Sequence, residues 1–113
     1  MFSIFKRKTK QVNPFEQGWL TGMIDIHCHL LPAVDDGSKS IEETLSLIDL
    51  LEEIGVKQHI LTPHIMEEYP SNDAIFLRAR FEELLAAITP DKASRLRLAA
   101  EYMLDVAFLD RLA

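Results

Sequence analysis

The stretch MIDIHCHLLPAVDDGSKSIEETLSLIDLLEEIGVKQHILTPH, residues 23–64, contains one full alternation of strand, helix and strand. Its first six residues, 23–28, are mostly apolar, follow Gly22 and precede the turn-rich segment PAVDDGS, which is typical of a buried strand in a parallel sheet. A second short strand is predicted over residues 57–62, KQHILT, ending at a proline. The spacing therefore predicts two extended segments joined by a longer crossover.

The crossover has the pattern of an amphipathic helix from Ile41 to Ile54. Ser40 and Glu43 form the capping-box pattern of a helix start, and Gly55 offers a left-handed stop. Apolar residues recur at helical spacing along the segment. They are Ile41, Leu45, Ile48 and Leu51.

The rest of the chain repeats this alternation. A second helix is predicted over residues 72–88, stopping before Pro90, then a strand over residues 95–101 and a short helix over residues 106–112. The order β-α-β-α-β-α predicts an α/β fold with parallel strands, in either an open sheet or part of a barrel.

Composition limits the classes of protein to which the chain can belong. Its 113 residues suit one small domain, and its net charge of −6 argues against nucleic acid as a partner. The single cysteine, Cys28, excludes an internal disulfide and fits a reducing compartment, so we expect a cytoplasmic location. There is no apolar run of transmembrane length, and we expect no transmembrane segment.

Residues 1–22 are predicted to be a basic N-terminal extension, with the folded part beginning at residue 23. Aromatic and aliphatic residues precede four basic residues within the first ten positions. Such a segment can contact an anionic membrane surface, or it can be a mobile, solvated tail, which is the simpler interpretation.

Several groups that bind metals fall at the predicted carboxyl ends of the strands. His27 and His29 lie at the end of the first strand, His64 just after the second, and Glu101 at the end of the third. In α/β folds the carboxyl ends of parallel strands meet at one rim, where ligands collect. Alternate residues of a strand point the same way, so His27 and His29 can direct two imidazoles at one ion.

Other residues around this rim have weaker signals. Asp36 lies in a glycine-containing loop that can fold back over the strand end, whereas Glu101 on spacing alone could be an ordinary solvated carboxylate. Asp25, in phase with His27 and His29, either orients a metal-bound imidazole from outside the ligand set or pairs with a buried polar group. His59, at the opposite end of its strand, is expected to be a surface or hydrogen-bonded histidine.

Cys28 is expected to be a packed, inert thiol rather than a nucleophile. A cysteine phosphatase needs an arginine six residues after its cysteine to bind phosphate, and this chain has Val34 there. A thiol behind the first strand behaves as a small apolar side chain.

The segments DIHCHLLPAVDDGSKS, TPHIM and AAEYMLD resemble the N-terminal half of the polymerase-and-histidinol-phosphatase (PHP) superfamily, over about residues 23–105. Within it, they are most similar to bacterial manganese-dependent tyrosine-protein phosphatases of capsule and exopolysaccharide loci. The His-x-His pair occurs in many metal enzymes. The Asp-Asp-Gly-Ser segment that follows it and the later Thr-Pro-His segment make the resemblance to this group more specific.

The resemblance implies a distorted, TIM-like β/α barrel with a cluster of three metal ions. Residues 23–113 would then be the N-terminal portion of a PHP domain, with about three βα units. We expect the family's further histidines and its Asp-x-His pair to be missing, because the chain ends at Ala113. The residues that match the family's ligands are His27, His29, Asp36, His64 and Glu101.

The resemblance also implies an activity, which is hydrolysis of phosphotyrosine on a protein, with a bacterial tyrosine kinase as the partner. Mn²⁺ is the implied metal, although mixed imidazole and carboxylate ligands also suit Fe²⁺ or Zn²⁺. The alternatives are another PHP or TatD-like phosphoesterase acting on histidinol phosphate or nucleic acid, and an inactive, truncated metal-binding fragment. A fragment with an unpaired strand edge is also expected to form homo-oligomers.

Overall fold

A computed structural model describes residues 11–113 of the chain. Residues 14–22 form a series of turns that lead into the first strand, with Gly18 and Gly22 at positive φ. The most basic part of the predicted extension, residues 1–10, lies outside the described residues.

The first strand–helix–strand unit forms as expected. Strand β1 spans Ile24–Cys28, helix α1 spans Ile41–Glu53 and strand β2 spans Gln58–Leu61. The Ser40 side chain caps α1 by accepting a hydrogen bond from the Glu43 N–H.

The end of α1 also follows the sequence prediction. Gly55 has a φ of 100°, and the N–H groups of Gly55 and Val56 donate to the carbonyls of Glu52 and Leu51. This is a Schellman motif, in which a left-handed glycine satisfies the last carbonyls of a helix.

The second half of the chain adds three helices and three short strands. Strand β3 is His64–Ile65, α2 is Ala74–Ala86, α3 is Pro90–Ala93, β4 is Leu96–Leu98, β5 is Glu101–Tyr102 and α4 is Val106–Leu112. The helix predicted over residues 106–112 is confirmed. In residues 11–113, none of the helices has the length and apolar character needed to cross a membrane.

All strand pairings in the described part of the chain are parallel, which confirms the α/β class. A three-stranded sheet has the order β1-β2-β4, and a two-stranded sheet pairs β3 with β5. Leu61 pairs with Leu98, and His64 pairs with Glu101. The two residues of each pair are the same number of positions apart in the sequence. The second sheet therefore continues the β2–β4 pairing in the same register, beyond a short break.

The strand predicted over residues 95–101 is consequently divided in two. Pro63 has no N–H to donate, so the β2 side of the ladder is interrupted there, although its carbonyl still accepts from the Glu101 N–H at 2.9 Å. The interruption allows β3 and β5 to lead away from the main sheet, and they carry His64 and Glu101 with them.

The hydrophobic core lies between the sheet and helices α1 and α2. Its members are apolar side chains from strands, helices and the loop after β1. The fully buried leucines are Leu31, Leu61, Leu77 and Leu84.

The prediction that β1 is a buried strand is wrong for the described residues. Ile24 is 50% exposed and Ile26 is 70% exposed. The physical reason is that β1 lies at the edge of the three-stranded sheet, so only β2 covers it on one side. A mostly apolar composition indicates that the side chains of a strand can be buried. It does not indicate whether a neighbouring strand or helix is present to cover them.

Candidate metal centre

The rim residues are brought together by the ends of three strands. His27 is the fourth residue of β1, His29 follows the strand directly, and His64 and Glu101 are paired partners in β3 and β5. Parallel strands place these carboxyl ends side by side. The structure therefore brings together the side chains that the sequence placed at this rim.

The carboxylate of Glu101 is the centre of the cluster. Its Oε2 atom lies 3.3 Å from Nε2 of His27, 3.1 Å from Nε2 of His29 and 3.2 Å from Nδ1 of His64. Among residues 11–113 this buried oxygen has no hydrogen-bond partner, and neither does Nδ1 of His64. These close contacts therefore lack hydrogen-bond geometry.

Such an arrangement is costly unless a cation accepts the lone pairs. A buried polar atom that loses its water and gains no hydrogen bond costs about 1–3 kcal/mol. Ligand atoms bound to one ion at about 2.1 Å lie about 3.0 Å apart in an octahedral site and about 3.4 Å apart in a tetrahedral one. The observed distances of 3.1–3.3 Å fit this range.

Asp36 extends the cluster on its exposed side. Its Oδ1 atom lies 3.2 Å from Nε2 of His64, and 70% of its side chain is accessible to solvent. The rings of His29 and His64 are 4.4 Å apart between centroids. The rim thus contains two overlapping groups that could hold metal ions. They are His27–His29–Glu101 and His29–Asp35–Asp36–His64.

Asp35 is a functional candidate that the sequence analysis missed. Its side chain is fully buried, and its Oδ2 atom lies 3.1 Å from Nδ1 of His29 and accepts from the His64 N–H at 3.0 Å. A hydrogen bond from Nδ1 would leave Nε2 of His29 free to bind an ion, which is the usual role of a carboxylate behind a metal-bound histidine.

The pKa of Asp35 follows from these contacts. Burial opposes ionisation of the carboxyl, but hydrogen bonds from the His64 N–H, the His29 ring and the Gly37 N–H outweigh burial, so the pKa of Asp35 is lowered. The Gly37 contact is an Asx turn at 2.9 Å. An aspartate two residues before a glycine is a recognisable turn signal in the sequence.

Gly37 allows the loop after β1 to fold tightly over the strand end. A Cβ atom at this position would lie 2.5 Å from Cβ of His29, and closer still to its carbonyl oxygen. That carbonyl accepts from the Ser38 N–H at 3.0 Å. Only glycine therefore fits between the loop and His29.

The loop between β3 and α2 forms another wall of the site, which spacing did not indicate. The Tyr69 ring stacks on His64 at 5.8 Å between centroids, with an interplanar angle of 10°. Asn72 is buried, and its Nδ2 atom donates to the carbonyls of Val34 at 3.0 Å and His64 at 2.8 Å. These contacts hold the two rim loops against each other.

Asp25 is not directed at the rim. A register shift between Asp25 and Cys28 adds a residue to β1, so the simple alternation with His27 and His29 is lost. The Asp25 Oδ2 atom instead lies 3.6 Å from Nδ1 of His59. Of the two readings of Asp25, the structure favours proximity to a buried polar group.

His59 lies away from the rim, as expected, but the description of it as a surface or hydrogen-bonded histidine is wrong. It is 1% exposed, and neither ring nitrogen has a hydrogen-bond partner in the described part of the chain. Its position opposite Asp25 in the β1–β2 pairing, with β4 on its other side, buries the ring.

Cys28 is half-buried and packs against the hydrophobic core. Its Sγ atom donates to the carbonyl of Ile60 at 3.4 Å. Burial, reinforced by the nearby Asp25 carboxylate, raises the pKa of the Cys28 thiol to about 12. A thiol that stays protonated at neutral pH is a poor nucleophile, in agreement with the packed thiol expected from the sequence.

The chain is similar to several proteins that are named tyrosine-protein phosphatases. The chain is 39% identical over 62 residues to the putative tyrosine-protein phosphatase CapC of Staphylococcus aureus, and 34% identical over 62 residues to the tyrosine-protein phosphatase YwqE of Bacillus subtilis (strain 168). Each alignment covers 55% of this chain and 24% of the relative. The tyrosine-protein phosphatase CpsB of Streptococcus agalactiae is 50% identical over 42 residues, covering 37% of this chain and 17% of the relative.

The chain thus spans about a quarter or less of the length of these curated relatives. A family model described as "Capsular polysaccharide synthesis, CpsB/CapC" matches residues 23–112. The match begins just before β1 and ends with the last residue of α4, so it includes every rim residue. The chain therefore belongs to the CpsB/CapC family of capsular polysaccharide synthesis.

Proposed function

We propose that this chain contributes the N-terminal part of a metal-dependent protein-tyrosine phosphatase that acts in capsular or exopolysaccharide synthesis. One observation carries the proposal. The buried Oε2 atom of Glu101 lies within 3.3 Å of three imidazole nitrogens and has no hydrogen-bond partner in the described residues. The names of the family and of its relatives support phosphotyrosine as the substrate.

The proposed metal is Mn²⁺, with Fe²⁺ and Zn²⁺ as alternatives, because imidazole and carboxylate together suit all three ions. Bound divalent ions would orient a phosphate ester, activate a water molecule and offset the charge that builds on the phosphoryl oxygens. The proposed ligands are His27, His29, Asp36, His64 and Glu101.

The residues of the chain have separate tasks in this proposal. Asp35 holds His29 in the tautomer that presents Nε2 to the ion, and it fixes the backbone at His64. His27 and Asp36 are the most exposed ligands, with 57% and 70% of their side chains accessible, so they lie on the open side where a phosphate ester can approach.

Charge explains why the rim alone would not bind such a substrate. Asp35, Asp36 and Glu101 place three carboxylates near one another, and these repel a phosphate dianion. Divalent ions reverse the sign of the local field. The same carboxylates that attract the ions therefore make phosphate binding dependent on them.

We further propose that the chain forms the first part of a distorted PHP-type β/α barrel, with residues 23–113 as the domain portion after a basic extension. The parallel pairings and the apolar, exposed β1 edge support this architecture, because further barrel strands would cover such an edge. The proposed substrate is the phosphotyrosine of a bacterial tyrosine kinase that controls polysaccharide export, and the proposed location of the chain is the cytoplasm.

The test is to assay the purified 113-residue chain with Mn²⁺ on a phosphotyrosine peptide, histidinol phosphate and single-stranded DNA, beside a full-length relative. We expect a preference for phosphotyrosine, with turnover more than about tenfold below that of the relative, a barrier difference above ~1.4 kcal/mol. The reason is that the five proposed ligands supply only part of the three-ion cluster that the family resemblance implies.

The alternatives predict other patterns in the same assay. Preferred hydrolysis of histidinol phosphate or DNA would favour a different PHP or TatD-like phosphoesterase. Stoichiometric Mn²⁺ binding without turnover of any substrate would favour a metal-binding fragment. Turnover of phosphotyrosine within about tenfold of the relative would show that the rim of this chain suffices for catalysis.

A further inference from the structure

A second cluster of metal-binding side chains lies apart from the rim, between β1 and β2. Asp25, Cys28 and His59 place a carboxylate oxygen, a thiol sulfur and a ring nitrogen within 4.8 Å of one another. The register shift in β1 brings Asp25 and Cys28 together, although they are three positions apart in the sequence. His59 is the pairing partner of Asp25 on the neighbouring strand.

The His59 ring is the strongest sign that this cluster accepts a ligand. The residue is 1% exposed, and both ring nitrogens are buried without a hydrogen-bond partner in residues 11–113. Its Nδ1 atom faces Oδ2 of Asp25 at 3.6 Å, which is beyond hydrogen-bond range but close to the separation of two ligands on one ion. Buried histidines normally have partners for their nitrogens.

The donor set distinguishes this cluster from the rim. The rim offers only imidazole and carboxylate groups, whereas this cluster adds a cysteine sulfur. Thiolate with imidazole and one carboxylate suits Zn²⁺ far better than Mn²⁺ or Mg²⁺, because the soft sulfur ligand favours zinc. The Asp25 side chain is 27% exposed beside a groove of about 340 Å³, so an ion can enter and keep a water molecule as its fourth ligand.

We propose that Asp25, Cys28 and His59 form a zinc-selective site that ties β1 to β2, separate from the metal centre at the rim. On binding, the S–H bond of Cys28 breaks, a Zn–S bond forms, and the released proton passes to solvent. The ion would fasten the exposed edge strand to its neighbour. It would also provide His59 with the partner that its ring nitrogen lacks.

Cobalt(II) is the sharpest probe because it replaces zinc in such sites and reports a bound thiolate through a near-ultraviolet charge-transfer band. The purified 113-residue chain should show this band on titration with Co²⁺, and added Zn²⁺ should abolish it. Cys28→Ser should remove the band, while His59→Gln and Asp25→Asn should weaken Co²⁺ binding at this site at least tenfold. His64→Ala, a change at the rim, should leave the band in place.

Circular dichroism and thermal unfolding show whether each variant is folded. If His59→Gln does not fold, Asp25→Asn decides, because its side chain is partly exposed and tolerates the change. The absence of a thiolate band in the unmodified chain would overturn the proposal. So would a folded His59→Gln or Asp25→Asn variant with unchanged Co²⁺ affinity, or loss of the band in a folded His64→Ala variant.

Discussion

One oxygen atom of Glu101 lies at the centre of the rim. The buried Oε2 atom faces nitrogens from three histidines at 3.1–3.3 Å and forms no hydrogen bond within the part of the chain that the structure describes. In a neutral His29 ring, a hydrogen bond from Nδ1 to Asp35 would leave Nε2 without a hydrogen, and two lone pairs would then face each other. A divalent cation between them converts this repulsion into attraction.

Substituting Glu101→Gln should weaken Mn²⁺ binding at least about 100-fold. Even changes to residues behind the ligands cost 10–100-fold in metal affinity, and this change removes a charged ligand itself. Isothermal titration calorimetry of the purified chain measures the effect. Glu53→Gln is the matched control, because Glu53 is exposed on α1 and should bind Mn²⁺ as the unmodified chain does. Equal affinities in the two variants would remove Glu101 from the site.

Cys28 should make stability depend on pH at the alkaline end. Burial and then the Asp25 carboxylate raise the pKa of its thiol from 9.0 to about 12 in the folded state. Above pH 9 the unfolded chain loses this proton while the folded chain keeps it, so the free energy of unfolding should fall as pH rises from 9 towards 12.

Urea unfolding at a series of pH values, with a chelator present, measures this dependence. Cys28→Ser should unfold with a smaller loss of stability over the same range, because a serine hydroxyl does not titrate there. Parallel pH profiles for the two proteins would show that the thiol is not the responsible group.

Residue identity and spacing predict some of the side chains at the rim, but they do not distinguish others from their neighbours. His27 and His29 followed from the pattern of alternation, and His64 and Glu101 from their positions after strands. Asp35 was missed because its neighbour Asp36 has the same chemistry, and only the direction of the side chains separates them. Their roles as metal ligands, or as support for ligands, stay predictions.

At the scale of elements, the loop between β1 and α1 is organised by one carboxylate. Asp35 accepts hydrogen bonds from the Gly37 and His64 N–H groups and lies within hydrogen-bond distance of the His29 ring. It therefore joins the end of β1, its own loop and the start of β3. A second link holds this loop to α1, where the buried Thr44 hydroxyl donates to the Leu30 carbonyl at 2.7 Å.

Asp35→Asn should lower both stability and metal affinity. An amide cannot reproduce three contacts with one ionised carboxylate, so the free energy of unfolding should fall by about 1–3 kcal/mol without metal. Mn²⁺ affinity should fall about 10–100-fold because His29 loses its orientation. Asp110→Asn, an exposed change on α4, is the control. Urea unfolding and calorimetry on both variants supply the comparison, and an Asp35→Asn variant as stable as Asp110→Asn would contradict this role.

Element type was predictable, but the details of the strands were not. Helix α1 begins after its capping residue Ser40 and ends before Gly55, as the sequence indicated. The register shift in β1 and the break after β2 depend on how neighbouring strands pair, which local patterns do not contain. For this reason the sequence pattern places Asp25 on the same face as His27 and His29, whereas in the structure Asp25 lies beside His59.

At the scale of the whole molecule, the described residues leave apolar surfaces uncovered. Exposed β1 side chains include Ile26, and α4 exposes Val106, Leu109 and Leu112. An apolar edge strand favours pairing with another chain. We therefore expect the 113-residue chain to self-associate as its concentration rises.

Ile26→Lys should reduce this association, because a charge on an edge strand opposes pairing with a second copy. Ile75→Lys is the matched control, since Ile75 is 84% exposed on α2 and away from the strand edge. Sedimentation velocity at several concentrations should show smaller species for Ile26→Lys only. Identical distributions for both variants would show that the β1 edge is not the contact.

We propose above all that the carboxyl ends of β1, β3 and β5 form a divalent-metal site. The most direct measurement is a crystal structure of the chain grown with Mn²⁺, with anomalous diffraction recorded on both sides of the manganese absorption edge. We expect a manganese peak within about 2.3 Å of Oε2 of Glu101 and of nitrogens from His27, His29 or His64. Crystals with no manganese peak among these side chains, or with manganese bound only elsewhere on the chain, would contradict it.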